Sequence, residues 1–226
     1  MHQEIEIPAE VPVMTLNSTV LFPQAIMPLH IFEPRYREML SEVLSGNRIF
    51  AIASLDESRP ENKAQELPHK IAGIGMVRAC RTNEDGTSNL VIQGLARVRL
   101  ESIIHETPYR KARIAPIRSE PGGSAQALAT IRKSMMQLIQ TQIRLGATIP
   151  REVVQFLNQV DDAETALDLT IYALCPSGEL KQKLLETTEV MLRYNRFEAF
   201  MKSEIARLKL DNELKGELGD DSVGLN

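Results

Sequence analysis

Tryptophan is absent from this sequence, cysteine occurs twice, histidine four times, and aromatic residues make up only 4% of the chain. Cys80 and Cys175 lie far apart without Cys-x-x-Cys spacing, which reads more economically as two packed thiols in a reducing compartment than as a disulfide. His2, His30, His69 and His105 are scattered, with no neighbouring cysteine or acid at zinc spacing, so no metal site is expected. His30 sits in an apolar run before Pro34 and reads as a packing or turn residue. No apolar run approaches the roughly 18 residues of a membrane helix, and the acidic opening lacks the basic start and apolar core of a secretory signal. A cytoplasmic protein without membrane contact is expected. The formal net charge is −4, and the segment from Asp211 onward carries five acids against Lys215 alone, so the remaining body has no global pull toward polyanions. Phosphate-binding Gly-x-x-x-x-Gly-Lys and Gly-x-Ser-x-Gly elbows are both missing, and the adjacent Asp161 and Asp162 suit helix capping better than paired acid–base work. No catalytic residues and no cofactor are assigned.

What is present divides by period. Up to about residue 118 the pattern is of short strands rich in Val, Ile and Leu, cut by Pro, Gly, Asn and Asp. One helix interrupts them: Pro34 suits a first turn, Tyr36, Met39, Leu40, Val43 and Leu44 share a face, and Gly46 ends it. Residues 49–54 read as a strand, and the polar stretch 56–69 as a mobile excursion. The Asn83-Glu84-Asp85-Gly86 turn predicts a hairpin, whose second arm alternates Ala96, Val98 and Leu100 against Arg97 and Arg99, giving one wet face. Gly73, Gly75 and Gly94 inside strand patterns favour a sheet that curls toward closure.

Across Glu120-Pro121-Gly122-Gly123-Ser124 the period changes from 2 to 3.6. Helices follow at residues 125–145, after Pro150, at 162–174, and from an N-cap at Ser177 through one long stripe reaching Leu208. The expected architecture is α+β: a β-rich subdomain at 1–119 with one short helix, a helical bundle at 124–210 ending in a long helix, and a disordered acidic tail at 211–226.

The run Val11-Pro12-Val13-Met14-Thr15-Leu16, then Val20-Leu21-Phe22-Pro23 and Met27-Pro28-Leu29-His30-Ile31-Phe32-Glu33-Pro34-Arg35-Tyr36, resembles the opening of the Lon protease amino-terminal domain family. Gly73-Ile74-Gly75, the turn at 83–86 and Gln93-Gly94-Leu95-Ala96-Arg97-Val98-Arg99 are similar to its second landmark, and the stretch 179–198 to its third. The resemblance spans about residues 11–205 and implies a PUA-like pseudo-barrel followed by a helical bundle, with substrate recognition as its role. Gln24 departs from the family's glycine after the proline, which puts the local turn in question. The ATPase and Ser-Lys peptidase domains of full Lon proteases have no counterpart motifs here, so a non-catalytic module is expected.

Two functions of different class follow. The first is binding of polypeptide segments through the Pro-broken apolar run at 21–28, with Phe22 and Met27 as contacts and Arg35 and Tyr36 holding backbone or carboxylate groups. The second is RNA binding by the basic strands 78–118 through Arg78, Arg97, Arg99 and Arg113. Eight basic residues there face four acids, but Tyr109 is the one aromatic available to stack a base, which ranks this reading second.

Overall fold

The computed structural model describes residues 5–58 and 66–220, with side chains to residue 215. Its contacts divide the chain into two compact units, residues 1–119 with 168–188, and residues 120–167 with 189–226.

The first unit holds six strands: β1 (Glu10–Leu16), β2 (Ile26–Ile31), β3 (Ile49–Ser54), β4 (Ile71–Thr82), β5 (Ser88–His105) and β6 (Arg110–Ile117). Their order is β2-β5-β4-β3-β1-β6, and a further β5–β6 pairing joins the far ends, so five strands close into a ring and β2 is added outside it. The closure depends on the length of β5. Its first part pairs with β2 at residues 88–93, and its last part with β6 from Arg97 to His105. Register shifts at Ile74/Gly75 and Leu100/Ser102 mark the irregularities that let a strand bend. Alternate residues point into the ring: Val11 and Val13, Ile49, Ala51 and Ala53, Ala72 and Ile74, Val98 and Leu100, Ala112 and Ile114. The alanines at 51, 53, 72 and 112 keep so narrow an interior filled without strain.

Between β1 and β2 the chain crosses the outside of the ring, and Leu21, Phe22 and Ala25 are fully buried there. The crossing explains two glycines. A Cβ at Gly73 would lie 2.0 Å from the Leu21 carbonyl oxygen, and one at Gly94 2.0 Å from that of Phe22. Helix α1 (Pro34–Ser45) then returns the chain for the parallel β1–β3 pairing, burying Tyr36, Met39, Leu40 and Val43. The Tyr36 hydroxyl donates to the Thr15 carbonyl at 3.0 Å and accepts from its N–H at 3.2 Å. Of the polar stretch 56–69, residues 59–65 lie outside the described residues. Its two ends are paired, with Asp56 N–H donating to Leu67 at 2.9 Å and His69 N–H to Ser54 at 2.8 Å.

Helix α2 (Ala125–Arg144), α3 (Arg151–Gln159), α4 (Ala163–Leu174), α5 (Gly178–Glu186) and α6 (Val190–Asp220) complete the described elements, and the expected α+β composition is present. Residues 168–188 belong to the same compact unit as the sheet. In the second unit the Ser124 hydroxyl caps α2 by accepting from Ala127 N–H. Ile131, Met135 and Ile139 of α2, with Phe197 and Met201 of α6, are buried there. The fully buried Arg193 meets Glu164 at 2.8 Å.

Two expectations about the helices need correction. Ser177 does cap a helix, accepting from Leu180 N–H, but that helix ends at Glu186, and a separate one starts at Val190. Thr187 leaves helical geometry, and the N–H groups of Val190 and Met191 are taken by the Glu120 and Pro121 carbonyls, a tertiary pairing that a helical stripe does not report. The tail expected to be disordered from 211 is instead helical to Asp220, with Arg207 bonded to Asp211 and the Asn212 amide donating to the Leu145 carbonyl. Residues 221–226 lie outside the described residues.

Candidate functional site

Among the described residues strand β2 has one strand neighbour, β5, and its other edge is unpaired by strands. Its side chains alternate: Met27 and Ile31 are buried, while Ile26, Pro28 and His30 are exposed, and Phe32 continues the exposed row. Ile26 is 51% exposed and Phe32 61%, large values for such apolar groups. The Ile26 carbonyl accepts from the Tyr172 hydroxyl at 3.2 Å and so points away from β5. In an antiparallel ladder such outward groups recur every second residue, which puts Pro28 on the free edge, where its missing N–H costs nothing.

The row continues across the sheet. Pro28 lies beside Val91 and then Ala79, and His30 beside Asn89 and then Arg81. Between these residues is a shallow groove of about 480 Å3 with no carboxylate in its lining. His30 Nδ1 lies 2.9 Å from Asn89 Oδ1. At the other end Arg78 Nε donates to Gln93 Oε1 at 2.7 Å, and Gln93 Nε2 donates to Gln24 Oε1 at 3.0 Å. Gln24 has φ 62°, the left-handed conformation that glycine adopts most readily. The departure from the family glycine therefore changes the residue while a glycine-type backbone is kept, and the amide ties the turn to Gln93.

The residues expected to bind polypeptide are not on this face. Phe22 is fully buried beneath the Arg97 guanidinium, Met27 packs inward from β2, and Tyr36 is buried with its hydroxyl on Thr15. Arg35 is partly exposed but held at 2.8 Å by both Glu33 and Glu66. The Glu66 hydrogen bond is the main cause that raises its pKa above the ordinary arginine value. The residues exposed here instead, Ile26, Pro28, His30 and Phe32, carry a readable signal, because they alternate with Met27, Leu29 and Ile31 around a proline suited to an edge.

The basic strands also divide. Arg97, expected on a wet face, is 3% exposed, because residues 168–188 cover it: Nη2 meets Asp168 at 2.6 Å and Nε donates to the Leu185 carbonyl at 3.1 Å. Arg113 pairs with Glu10 at 3.0 Å, and Lys111 with Glu42 at 2.6 Å. Tyr109 is buried with its hydroxyl on Glu42. Arg78 and Arg99 are exposed.

A second concavity, about 470 Å3, is bordered by Asp56, Ser58, His69, Gln182 and Glu186. His69 Nδ1 lies 3.3 Å from Glu186, and its Nε2 4.0 Å from Asp56. The Ser58 hydroxyl donates to Asp56 at 2.5 Å rather than to the imidazole, so serine, histidine and acid are not in relay order. Among the described residues no three His, Cys, Asp or Glu side chains converge on a metal position. No described helix is long and apolar enough to cross a membrane.

The fold is that of an α+β domain. The chain belongs to the family of ATP-dependent protease La (LON) substrate-binding domains, whose profile matches residues 10–203. Among curated relatives, the Lon protease of Desulfosudis oleivorans is 26% identical over 96% of this chain and 26% of its own length. That of Dictyoglomus thermophilum is 22% identical over 96% of this chain and 27% of its own. The chain thus spans about a quarter of the length of these relatives. The N-terminal domain of a Mycobacterium avium complex Lon protease superposes with TM-score 0.64 at 16% identity, covering 87% of this chain and 98% of that one. A Lon N-terminal domain protein from Xanthomonas campestris gives 0.59 at 17%, covering 85% and 98%. These two likenesses show a shared fold.

Proposed function

We propose that this chain is a non-catalytic, cytoplasmic polypeptide-binding module that receives extended apolar segments on the outer face of β2, β5 and β4. The observation that carries this reading is the exposure of Ile26 and Phe32 on an edge strand outside an otherwise closed ring. Apolar groups of this size gain on the order of 1.5–3 kcal/mol on full burial, so half-exposed ones offer about 1 kcal/mol each to a partner. The family's substrate-binding description and the relatives' name, Lon protease, agree with a polypeptide as the partner. Buried Arg97, paired Arg113 and buried Tyr109 weaken the RNA reading.

The test is fluorescence anisotropy with a reduced, carboxymethylated and therefore permanently unfolded protein. The variants Ile26→Asp and Phe32→Asp should each weaken binding about five-fold or more while the circular dichroism spectrum is unchanged. Unaltered affinity in the doubly substituted protein would remove this face from consideration. Met27→Asp is unsuited to the purpose, since Met27 is buried and a carboxylate there would perturb the fold.

A further inference from the structure

Resting on that reading, we propose that the β2–β5–β4 face selects extended segments in which an apolar residue is flanked by acidic ones two positions away on either side. Two members of the exposed row, Ile26 and His30, each have an arginine across the sheet from them. Arg81 lies in register with Asn89 and His30, and Arg78 reaches Gln93, which is in register with Ile26. Ile26 and His30 are four residues apart, which along a strand is roughly 13 Å. An extended ligand lying over β5 repeats its side-chain direction every second residue, so acids at positions i and i+4 meet the two arginines while the residue at i+2 faces Val91 and Pro28.

Neither arginine is committed to a carboxylate of its own. Four cations elsewhere on this unit are neutralised locally, Arg35 by Glu33 and Glu66, Arg110 by Glu106, Lys111 by Glu42 and Arg113 by Glu10, whereas Arg37, Arg48, Lys70 and Arg99 share with the two arginines here the absence of an ion pair among the described residues. At the groove, Arg78 donates to neutral partners, Gln93 and the Met76 sulfur, and Arg81 is exposed with no ion pair among the described residues. The Gln24–Gln93–Arg78 chain also holds the Arg78 guanidinium at the groove's end, which reduces the ordering cost of binding an anion. A groove lined by Val91, Ala79, Pro28 and Arg81, with no carboxylate in its lining and with Arg78 beyond it on Gln93, fits an acidic partner and repels a basic one.

The experiment uses three labelled peptides on the full chain: one with Asp at i and i+4 and Leu at i+2, one with Ser in place of both acids, and one with Lys. At low ionic strength the Asp peptide should bind about five-fold tighter than the Ser peptide, each exposed pair contributing a factor of about two to three, and the Lys peptide should bind weakest. The ranking should fade in high salt and invert in the Arg78→Glu/Arg81→Glu protein, with folding checked by circular dichroism. Equal affinity for all three peptides, still lost in Ile26→Asp, would overturn the selectivity while leaving the docking face standing. A ranking that persists in the charge-reversed protein would overturn it as well. Binding of none of the three would remove the docking face and the selectivity together, and displacement of the Asp peptide by mixed-sequence RNA at equal charge would reassign the arginines to nucleic acid.

Discussion

Removal of the Asp168 carboxylate should be among the most damaging single changes in the first unit. The Arg97 guanidinium and the Asp168 carboxylate are 3% and 1% exposed, and Nη2 and Oδ1 are 2.6 Å apart. Arg97 also donates to the Leu185 carbonyl and lies 5.7 Å above the Phe22 ring. In Asp168→Ala the guanidinium stays charged, because arginine does not deprotonate in proteins, and it stays buried under residues 168–188. Breaking one side of a buried pair costs about 3–5 kcal/mol, a fifth or more of the roughly 5–15 kcal/mol that stabilises a typical domain. With an m-value of about 2 kcal/mol/M, the urea midpoint should fall by about 1.5–2.5 M. Replacing both partners by apolar residues, Arg97→Met with Asp168→Leu, should recover at least about 2 kcal/mol relative to Asp168→Ala, since no uncompensated charge then remains. Urea unfolding followed by circular dichroism reads both numbers. A loss below about 1 kcal/mol in Asp168→Ala, or a double variant as unstable as the sum of its parts, would show that the burial argument is wrong.

Gly94→Ala should destabilise by about 3 kcal/mol or more, because its Cβ would meet the Phe22 carbonyl oxygen, a backbone atom that cannot swing aside; Gly146, with nothing within 4 Å, should tolerate alanine at a cost set only by its positive φ. Thermal melting of the two variants separates contact from conformation, and equal losses would refute the close-approach argument. Glu42 is held below its ordinary pKa of 4.5 by the Lys111 hydrogen bond first and that of Tyr109 second. The stability this adds is present above the unfolded value and is lost as pH falls through the lower folded one. The side chain is half exposed, so the contribution is a few tenths of a kcal/mol. Glu42→Gln should therefore flatten the stability–pH curve slightly below pH 4.5, and an unchanged acid limb would contradict it.

What could be read from the sequence was local. The helix bounded by Pro34 and Gly46, strand β3 at Ile49–Ser54, and the hairpin turn with Gly86 at φ 78° depend on neighbouring residues alone, and each stands where the pattern puts it. Arg97 failed for a different reason. Alternation assigns it correctly to the face opposite Val98, but whether that face is wet depends on Asp168 and Leu185, more than 70 residues away. The gap between α5 and α6 is similar, since the N–H groups at 190 and 191 find carbonyls at 120 and 121. Phe22 and Met27 looked adhesive because a Pro-broken apolar run is unlike a central strand. The segment is instead a buried crossing followed by an edge strand, and the exposed members of the run are the alternate ones.

Closure of five strands removes the edges that would otherwise invite other chains to add by backbone pairing, and β2 restores a single one. That edge is blunted. The Ile26 carbonyl is occupied by the Tyr172 hydroxyl, and Pro28 has no N–H to offer, so an added strand would find few partners along it. The adjacent face has no such protection: Ile26 and Phe32 are exposed there, and the groove beside Val91 is lined by Arg81. Under the proposed function a ligand would be held by side chains rather than by a ladder of main-chain bonds, so affinity would follow the spacing of its apolar and charged groups. Such contacts would form and release without templating further strands, as the proposed reception of extended chains requires.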